Sequence, residues 1–438
     1  MTVAVLDMDT RSPERSDRGE RIDCYELPGT DLSRYALLVV PATADQEFLA
    51  RHRGVIERFL DGGGVLHFGG QLHRDWLPGA STFVPLPKPS LAAYRVAEIA
   101  PHPIFAGVEP DDLTFRRGVA GFFARGHHPP PPGAEVLLRL AGGEPATYVD
   151  QVSTRGTIVV HASGDLLGLG EHNGTGARVP DQLVAWAEEQ AAARRRRPTV
   201  TPSAPAGTVR FGTGRDSADA RSACASRGGI AAVYSGSALH HRALTTPKYA
   251  RHLTGGLLYL PELATTDLTG YDAVIVPERM HRGLLTAAAP RILELLDAGR
   301  TVVACAGGEP IPEFLPNVVW EHRPTNYWWW LERGADLGLC SPTPEHSFFD
   351  HLALRDCTWH YHGALTAPPG ADVLVALPSG EALLYVDRVS TPGTLVVSTL
   401  DPMSHFGSHF MPATERFLDG FLPWLSGFAT RVTEGRAS

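Results

Sequence analysis

The sequence predicts two tandem three-layer α/β/α domains with mixed sheets, and three observations carry that expectation. The chain repeats itself: YVDQVSTRGTIVV, from Tyr148 to Val160, returns as YVDRVSTPGTLVV from Tyr385 to Val397, and internal duplication decides the architecture before any motif is read. Each copy opens with Val/Leu/Ile runs separated by helical periodicity, the pattern of parallel strands covered on both faces. Each then turns to closely spaced strand-like runs joined by short polar turns, the pattern of hairpins. With 438 residues, 43% of them apolar, either copy can build its own core.

The elements follow in order. TVAVLDM, YALLVVP and GGVLHFGG read as parallel strands of the first copy, with an amphipathic helix from Glu47 to Leu60 before the third. GIAAVYSG, YDAVIVP and RTVVACAGG repeat that order, with the helix at Ala287 to Leu296. The echo holds between DLSRYALLVVP at Asp31 and DLTGYDAVIVP at Asp267, and between GVIERFLDGGG at Gly54 and PRILELLDAGR at Pro290. The later strands are AEVLLRL, ATYVDQV and GTIVVHA, then ADVLVAL, ALLYVDRV and GTLVVST. Asp150 and Asp387 precede the hairpin turns and are expected to accept backbone N–H groups there. Closing helices start at Asp181 and Ala413, and Pro129 to Pro132 form a rigid extended loop. The Arg/Ala/Ser/Thr/Gly/Pro-rich stretch between the copies reads as a linker. The expected domains are 1–190 and 229–430, with the linker at 191–228.

A formal charge of -9 and a pI near 6.1 disfavour a general role on nucleic acid or anionic membrane. The one basic run, Arg194 to Arg197, reads as a helix end or linker. The first residues carry no signal-peptide pattern and no stretch approaches bilayer length, so a cytoplasmic protein is expected. The five cysteines, Cys24, Cys224, Cys305, Cys340 and Cys357, include no C-x-x-C pair. That disfavours a disulfide scaffold or a structural zinc site.

The strand–helix order with a Gly-rich turn after the third strand, and a late hairpin, resembles the class I glutamine amidotransferase-like fold. Within it the chain is similar to trehalose-utilisation-type domains and to amidotransferase-like domains appended to glycosidases. The carriers are the D-G-G-G and D-A-G-R helix ends, H-P-I-F at His102 with its echo H-S-F-F at His346, and GTLVVSTLDP from Gly393. The resemblance implies a flavodoxin-like sheet, and a nucleophile turn of the form C-x-G-x-Q after the third strand. Cys305-Ala306-Gly307-Gly308-Glu309 resembles that turn with Glu in the Gln place. Aligning the glycine pairs sets His67 opposite Cys305. The resemblance also implies a His-Pro-Glu after the last strand, where this chain has Asp401-Pro402-Met403, so the base is missing there. His405 is the candidate substitute base for Cys305.

Histidines concentrate in the second copy: His360 and His362, then His405 and His409 after Asp401. On an extended strand His360 and His362 share a face, and on a helix Asp401, His405 and His409 stack at intervals of four. His360, His362 and His409 are the candidate ligands of a divalent metal; the first copy reads Thr114 to Arg117 and Asp165 to His172 in the matched places. His240 follows the first strand of its domain, where open α/β sheets place ligands. Asn326, Tyr327 and Trp328 open an aromatic run suited to sugar stacking or a protein interface. With His240, Glu309 and Asp401 they form the candidate ligand-binding set.

Two functions follow. The favoured expectation is a tandem amidotransferase-like protein without a complete catalytic triad, binding a small polar or carbohydrate-like ligand or assembling with itself or a protein partner. The alternative is a hydrolase or amidotransferase-type enzyme acting through the second domain, by Cys305 or by a His/Asp metal site.

Overall fold

The computed structural model describes residues 2–8, 18–116, 119–120, 124–196, 228–306, 312–323, 325, 329, 332–409 and 411–437. They form a two-domain α/β protein. The first sheet contains β1 (Val3–Asp7), β2 (Glu20–Asp23), β3 (Leu37–Val40), β4 (Val65–Gly69), β5 (Val96–Ile99), β6 (Glu135–Leu140), β7 (Pro145–Asp150) and β8 (Thr157–His161). Their order is β2-β1-β3-β4-β8-β7-β6-β5. Pairing is parallel from β2 to β8 and antiparallel from β8 to β5.

The second sheet contains β9 (Ile230–Tyr234), β10 (Gly256–Tyr259), β11 (Ala273–Val276), β12 (Thr301–Cys305), β13 (Val319–His322), β14 (Gly363–Thr366), β15 (Asp372–Ala376), β16 (Ala382–Asp387) and β17 (Thr394–Ser398). Its order, β10-β9-β11-β12-β17-β16-β14-β13 with β15 also on β16, repeats the first through the parallel half. The copies diverge at the antiparallel edge, where β6 lies in the main path of the first sheet but its counterpart β15 flanks the second.

Alternation explains the layering. Val3, Leu37, Val39 and Val65 enter one apolar cluster, while their neighbours Ala4, Leu38, Val40 and Leu66 enter another on the opposite face. Both faces of the strands are therefore covered, as the continuous apolar runs required. The helix expected at 47–60 is two, Gln46–Arg51 and Arg53–Asp61, broken at His52. Its counterpart is likewise Arg282–Ala287 and Ala289–Asp297. Pro290 stands in the first turn of the latter, where a missing N–H costs nothing. The closing helices are Val179–Arg196 and Pro412–Ala437. The first of these runs through residues 191–196, Arg194 to Arg196 included, so the linker expected from 191 does not begin there; Arg197 and the rest of residues 197–227 lie outside the described residues. No helix among the described residues is long and apolar enough to cross a membrane.

Repeated residues do the same work twice. Asp150 accepts from the N–H groups of Val152 and Ser153 at 2.8 and 3.0 Å, and Asp387 from Val389 and Ser390 at the same distances. His102 and His346 each cap a short helix through Nδ1 at 3.2 Å. A Cβ on Gly156 would stand 2.5 Å from the Gly64 carbonyl, and on Gly393 2.5 Å from that of Arg300. Both hairpins press against the preceding helix–strand corner.

The domains meet along a seam that is also built twice. Asp45 and His281 are the N-caps of equivalent helices, and each reaches across to the end of an equivalent strand. Asp45 accepts from Tyr259 at 2.6 Å, and His281 Nε2 lies 3.0 Å from the Asp23 carboxylate. Tyr25 adds a second hydroxyl to Asp45 at 3.0 Å, and the Gln46 N–H donates to Gly236 O at 3.0 Å.

Candidate metal centre

Carboxyl ends of parallel strands are where open α/β sheets expose backbone and loops to a ligand. Here β11 leads to Glu278 and Arg279, β12 ends at Cys305, and β17 leads to Asp401. Asp401 is the N-cap of the helix Pro402–Gly407, which carries His405 one turn on. The turn before β14 supplies His360 and His362. One ligand atom from each of His360, His362, Asp401 and His405 lies within 4.8 Å of all the others. This buried cluster has the composition and spacing to hold a metal ion.

Asp401 is fully buried and is the hub. Its carboxylate lies 3.1 Å from His362 Nε2, 2.9 Å from His405 Nε2 and 3.7 Å from His360 Nε2. Trp359 donates its indole N–H to Oδ1 at 3.1 Å, and the Arg279 guanidinium stands 3.9 Å from Oδ2. Burial alone would push this carboxyl up, yet His405 and His362 outweigh it and hold it well below the usual carboxylate range. His360 and His405 point Nε2 at each other across 2.8 Å. Burial, and then His405, push His360 down to about 3, so its ring is a neutral donor of a lone pair. A tetrahedral ion held at about 2.05 Å separates its ligand atoms by about 3.3 Å, and the observed spacings straddle that value.

The cluster is anchored in the core. Trp359 packs edge-on against Phe417, with ring centres 5.4 Å apart, and Phe417 stacks on Phe421 in the closing helix. Burying aromatic side chains of this size contributes about 1.5–3 kcal/mol each, which holds the ligand-bearing turn in place. Thr325 donates to Tyr361 O and Trp329 to Trp359 O, at 2.5 and 2.8 Å. The segment that follows β13 is thus tied to the backbone on either side of His360.

The other candidate residues are distributed as follows. Cys305 is buried, and burial together with Glu278 and Asp401 pushes its thiol well above the usual range. His405 Nε2 faces Asp401 and His360. His409 stands apart from the cluster: the helix ends at Gly407, His409 has φ +72, and its ring lies 5.2 Å from Phe83 of the first domain. His240 is buried with Nδ1 2.7 Å from Ser235 Oγ. Glu309, Asn326, Tyr327 and Trp328 lie outside the described residues.

Sheet register corrects the sequence alignment of the copies. Thr157 pairs with Val65 in the first sheet as Thr394 pairs with Thr301 in the second, so Gly69 stands opposite Cys305, two residues on from His67. The glycine pairs mislead because Gly69 is itself the last residue of β4, whereas Gly307 comes two residues after β12 ends at Cys305. His67 is instead a core residue, with Nδ1 3.2 Å from Val159 O and Nε2 accepting from the Leu166 N–H. Likewise, Gly126 pairs with Pro85 as Gly363 pairs with His322, which sets Arg125 opposite His362 and displaces the expected match at 114–117.

Glu278, Arg279 and Trp359 went unnoticed in the sequence. A signal existed: the first copy has Ala42 and Thr43 where the second has Glu278 and Arg279, a change from small to charged directly after a repeated strand. Glu278 is buried and accepts from the Ser404 N–H at 2.5 Å, while its Oε2 has no partner. Burial, then Asp401, push it up to about 7. Compared with protein-family models and with curated proteins, the chain matches none.

Proposed function

We propose that the chain binds one divalent transition-metal ion on His360, His362, His405 and Asp401, and acts through it as a hydrolytic enzyme on a small polar substrate. One observation carries this reading: four ligand atoms from two separate segments converge within 4.8 Å around a carboxylate withdrawn from water. Donor sets rich in imidazole suit zinc, iron, nickel and copper. Such an ion supplies Lewis acidity and a water acidic enough to attack near neutral pH. Trp359, donating to Oδ1, orients the Asp401 carboxylate. His362 and His405, with side chains 13% and 20% exposed, form the open side through which substrate approaches. Arg279, beside Asp401, is placed to neutralise a charged substrate group, and Glu278 to exchange a proton at its unpartnered oxygen.

The amidotransferase-like resemblance is read as the ancestry of both domains, with the chemistry moved from thiol to metal. Two carboxylates beside Cys305 oppose the thiolate that the ancestral reaction needs. The first domain, with Gly69 and Arg125 in the matching places, serves as a non-catalytic partner.

Calorimetric titration of chelator-treated protein with Zn²⁺ and Ni²⁺ tests the site. One saturable site is expected, lost in Asp401→Asn and in the His360→Ala/His362→Ala double variant. Binding that survives those changes removes the metal assignment. Chelator-sensitive hydrolysis across a panel of amides and esters, retained by Cys305→Ala, is expected of the enzyme; metal binding without any such turnover removes the catalytic half.

A further inference from the structure

The seam between the domains carries an open cavity of about 340 Å³, a volume typical of small-ligand pockets. Both domains line it, with Gln71, His73 and Phe83 on one side and His241, Arg242 and His409 on the other. No carboxylate is among its lining residues. Arg125 approaches the same corner from the first domain, donating to Ser408 O at 2.8 Å, one residue before His409. Arg242 donates to the Phe406 carbonyl and lies over the Phe406 ring.

Nearby carboxylates have other partners. Glu47 is paired with Arg74 at 2.6 Å and accepts from the Tyr234 hydroxyl at 3.2 Å, while Glu415 is held by Lys248 at 2.5 Å. The lining itself thus carries the Arg242 guanidinium and neutral imidazoles, with Glu415 and Glu47 acting on it from outside. Burial, followed by Arg242 and Arg125, pushes His409 down to about 3, and burial and Arg74 depress His241.

His73 adds the second requirement. Its Nε2 lies 3.0 Å from Tyr234 Oη, and with that hydroxyl donating to Glu47, His73 donates through Nε2. Its Nδ1 therefore carries a lone pair, and that atom is buried without a partner. An unpaired buried acceptor of this kind is destabilising, and a hydroxyl donor would satisfy it. His409 is held at φ +72 where its ring flanks the cavity, and such backbone strain concentrates at ligand sites.

We propose that this cavity binds a small hydroxylated oxyanion, a hydroxy acid or a polyol phosphate. Its charge lies in the field of Arg242 and Arg125, and its hydroxyl donates to His73 Nδ1. The site is independent of the metal centre, so chelator-treated full-length protein tests it separately.

Thermal unfolding and calorimetry at constant ionic strength would compare malate, glycerol 1-phosphate, glycerol and chloride. A saturable rise in Tm is expected with malate or glycerol 1-phosphate, the stronger one identifying the carboxylate or phosphate source, and none with glycerol or chloride. His241→Glu places a carboxylate in the lining and His73→Gln alters the acceptor; each is expected to weaken binding about tenfold or more. Absence of a saturable response to both anions, or an equal response to chloride, overturns the proposal. So does unchanged affinity in either variant whose circular dichroism matches the parent.

Discussion

Replacing Gly236 by alanine attacks the seam at a single atom. Gly236 has φ +82, and a Cβ there would stand 1.8 Å from Asp45 Oδ1 and 2.3 Å from its Cγ. The carboxylate must leave, and with it the bonds from Tyr259 at 2.6 Å, Tyr25 at 3.0 Å and the Phe48 N–H at 2.9 Å. Left-handed backbone costs a non-glycine residue about 1–2 kcal/mol, and a hydrogen bond to a buried charge is worth about 1.5–3 kcal/mol. Strain plus one such bond, the rest regained by small shifts, gives about 4 kcal/mol. For domains of this size that is about 8–16 °C in Tm. Scanning calorimetry of Gly236→Ala beside the parent reads it directly. A shift under about 8 °C would refute the claim that Asp45 ties the two domains together, since backbone strain of about 1–2 kcal/mol accounts by itself for about 2–8 °C.

Two further outcomes follow from the geometry. Alkylation at pH 8, read by peptide mass spectrometry, is expected to modify exposed Cys340 and to spare buried Cys305 until denaturant is added; Cys305 reacting first would restore it as a nucleophile. Gly156→Ala and Gly393→Ala should each destabilise by about 1–3 kcal/mol in urea titration, because the new methyl meets backbone at 2.5 Å in both copies. Stabilisation of about 0.4–1 kcal/mol, the usual benefit of removing a tolerated glycine, would show that the hairpins do not press on their helix–strand corners.

Duplication made the two-domain α/β plan legible, because DLSRYALLVVP and DLTGYDAVIVP mark equivalent strands without any knowledge of pairing. The metal cluster was partly legible for the same local reason. His360 and His362 are two apart on extended chain, and Asp401 and His405 are one helical turn apart, so each pair declares its own face. His409 failed that logic because the turn beyond Gly407 takes it to the other domain. Register was illegible: the equivalence of Gly69 and Cys305 is set by hydrogen bonds to the neighbouring strand, not by the alignment of glycine pairs. The seam left no pattern either. Asp45 looks like an ordinary helix cap, and nothing in its neighbours announces a hydroxyl arriving from Tyr259. His241 lines the cavity while His240 is buried beside Ser235, a choice made by the rotation of one short helix.

Elemental analysis of bound metal is the most direct test of the centre. The full chain is loaded with Zn²⁺ and desalted, and its metal content per chain is compared with that of His360→Ala/His362→Ala and of His409→Ala. One equivalent retained by the parent and by His409→Ala, and none by the double variant, is the expected result. No retained metal in the parent, or a full equivalent in the double variant, would contradict it.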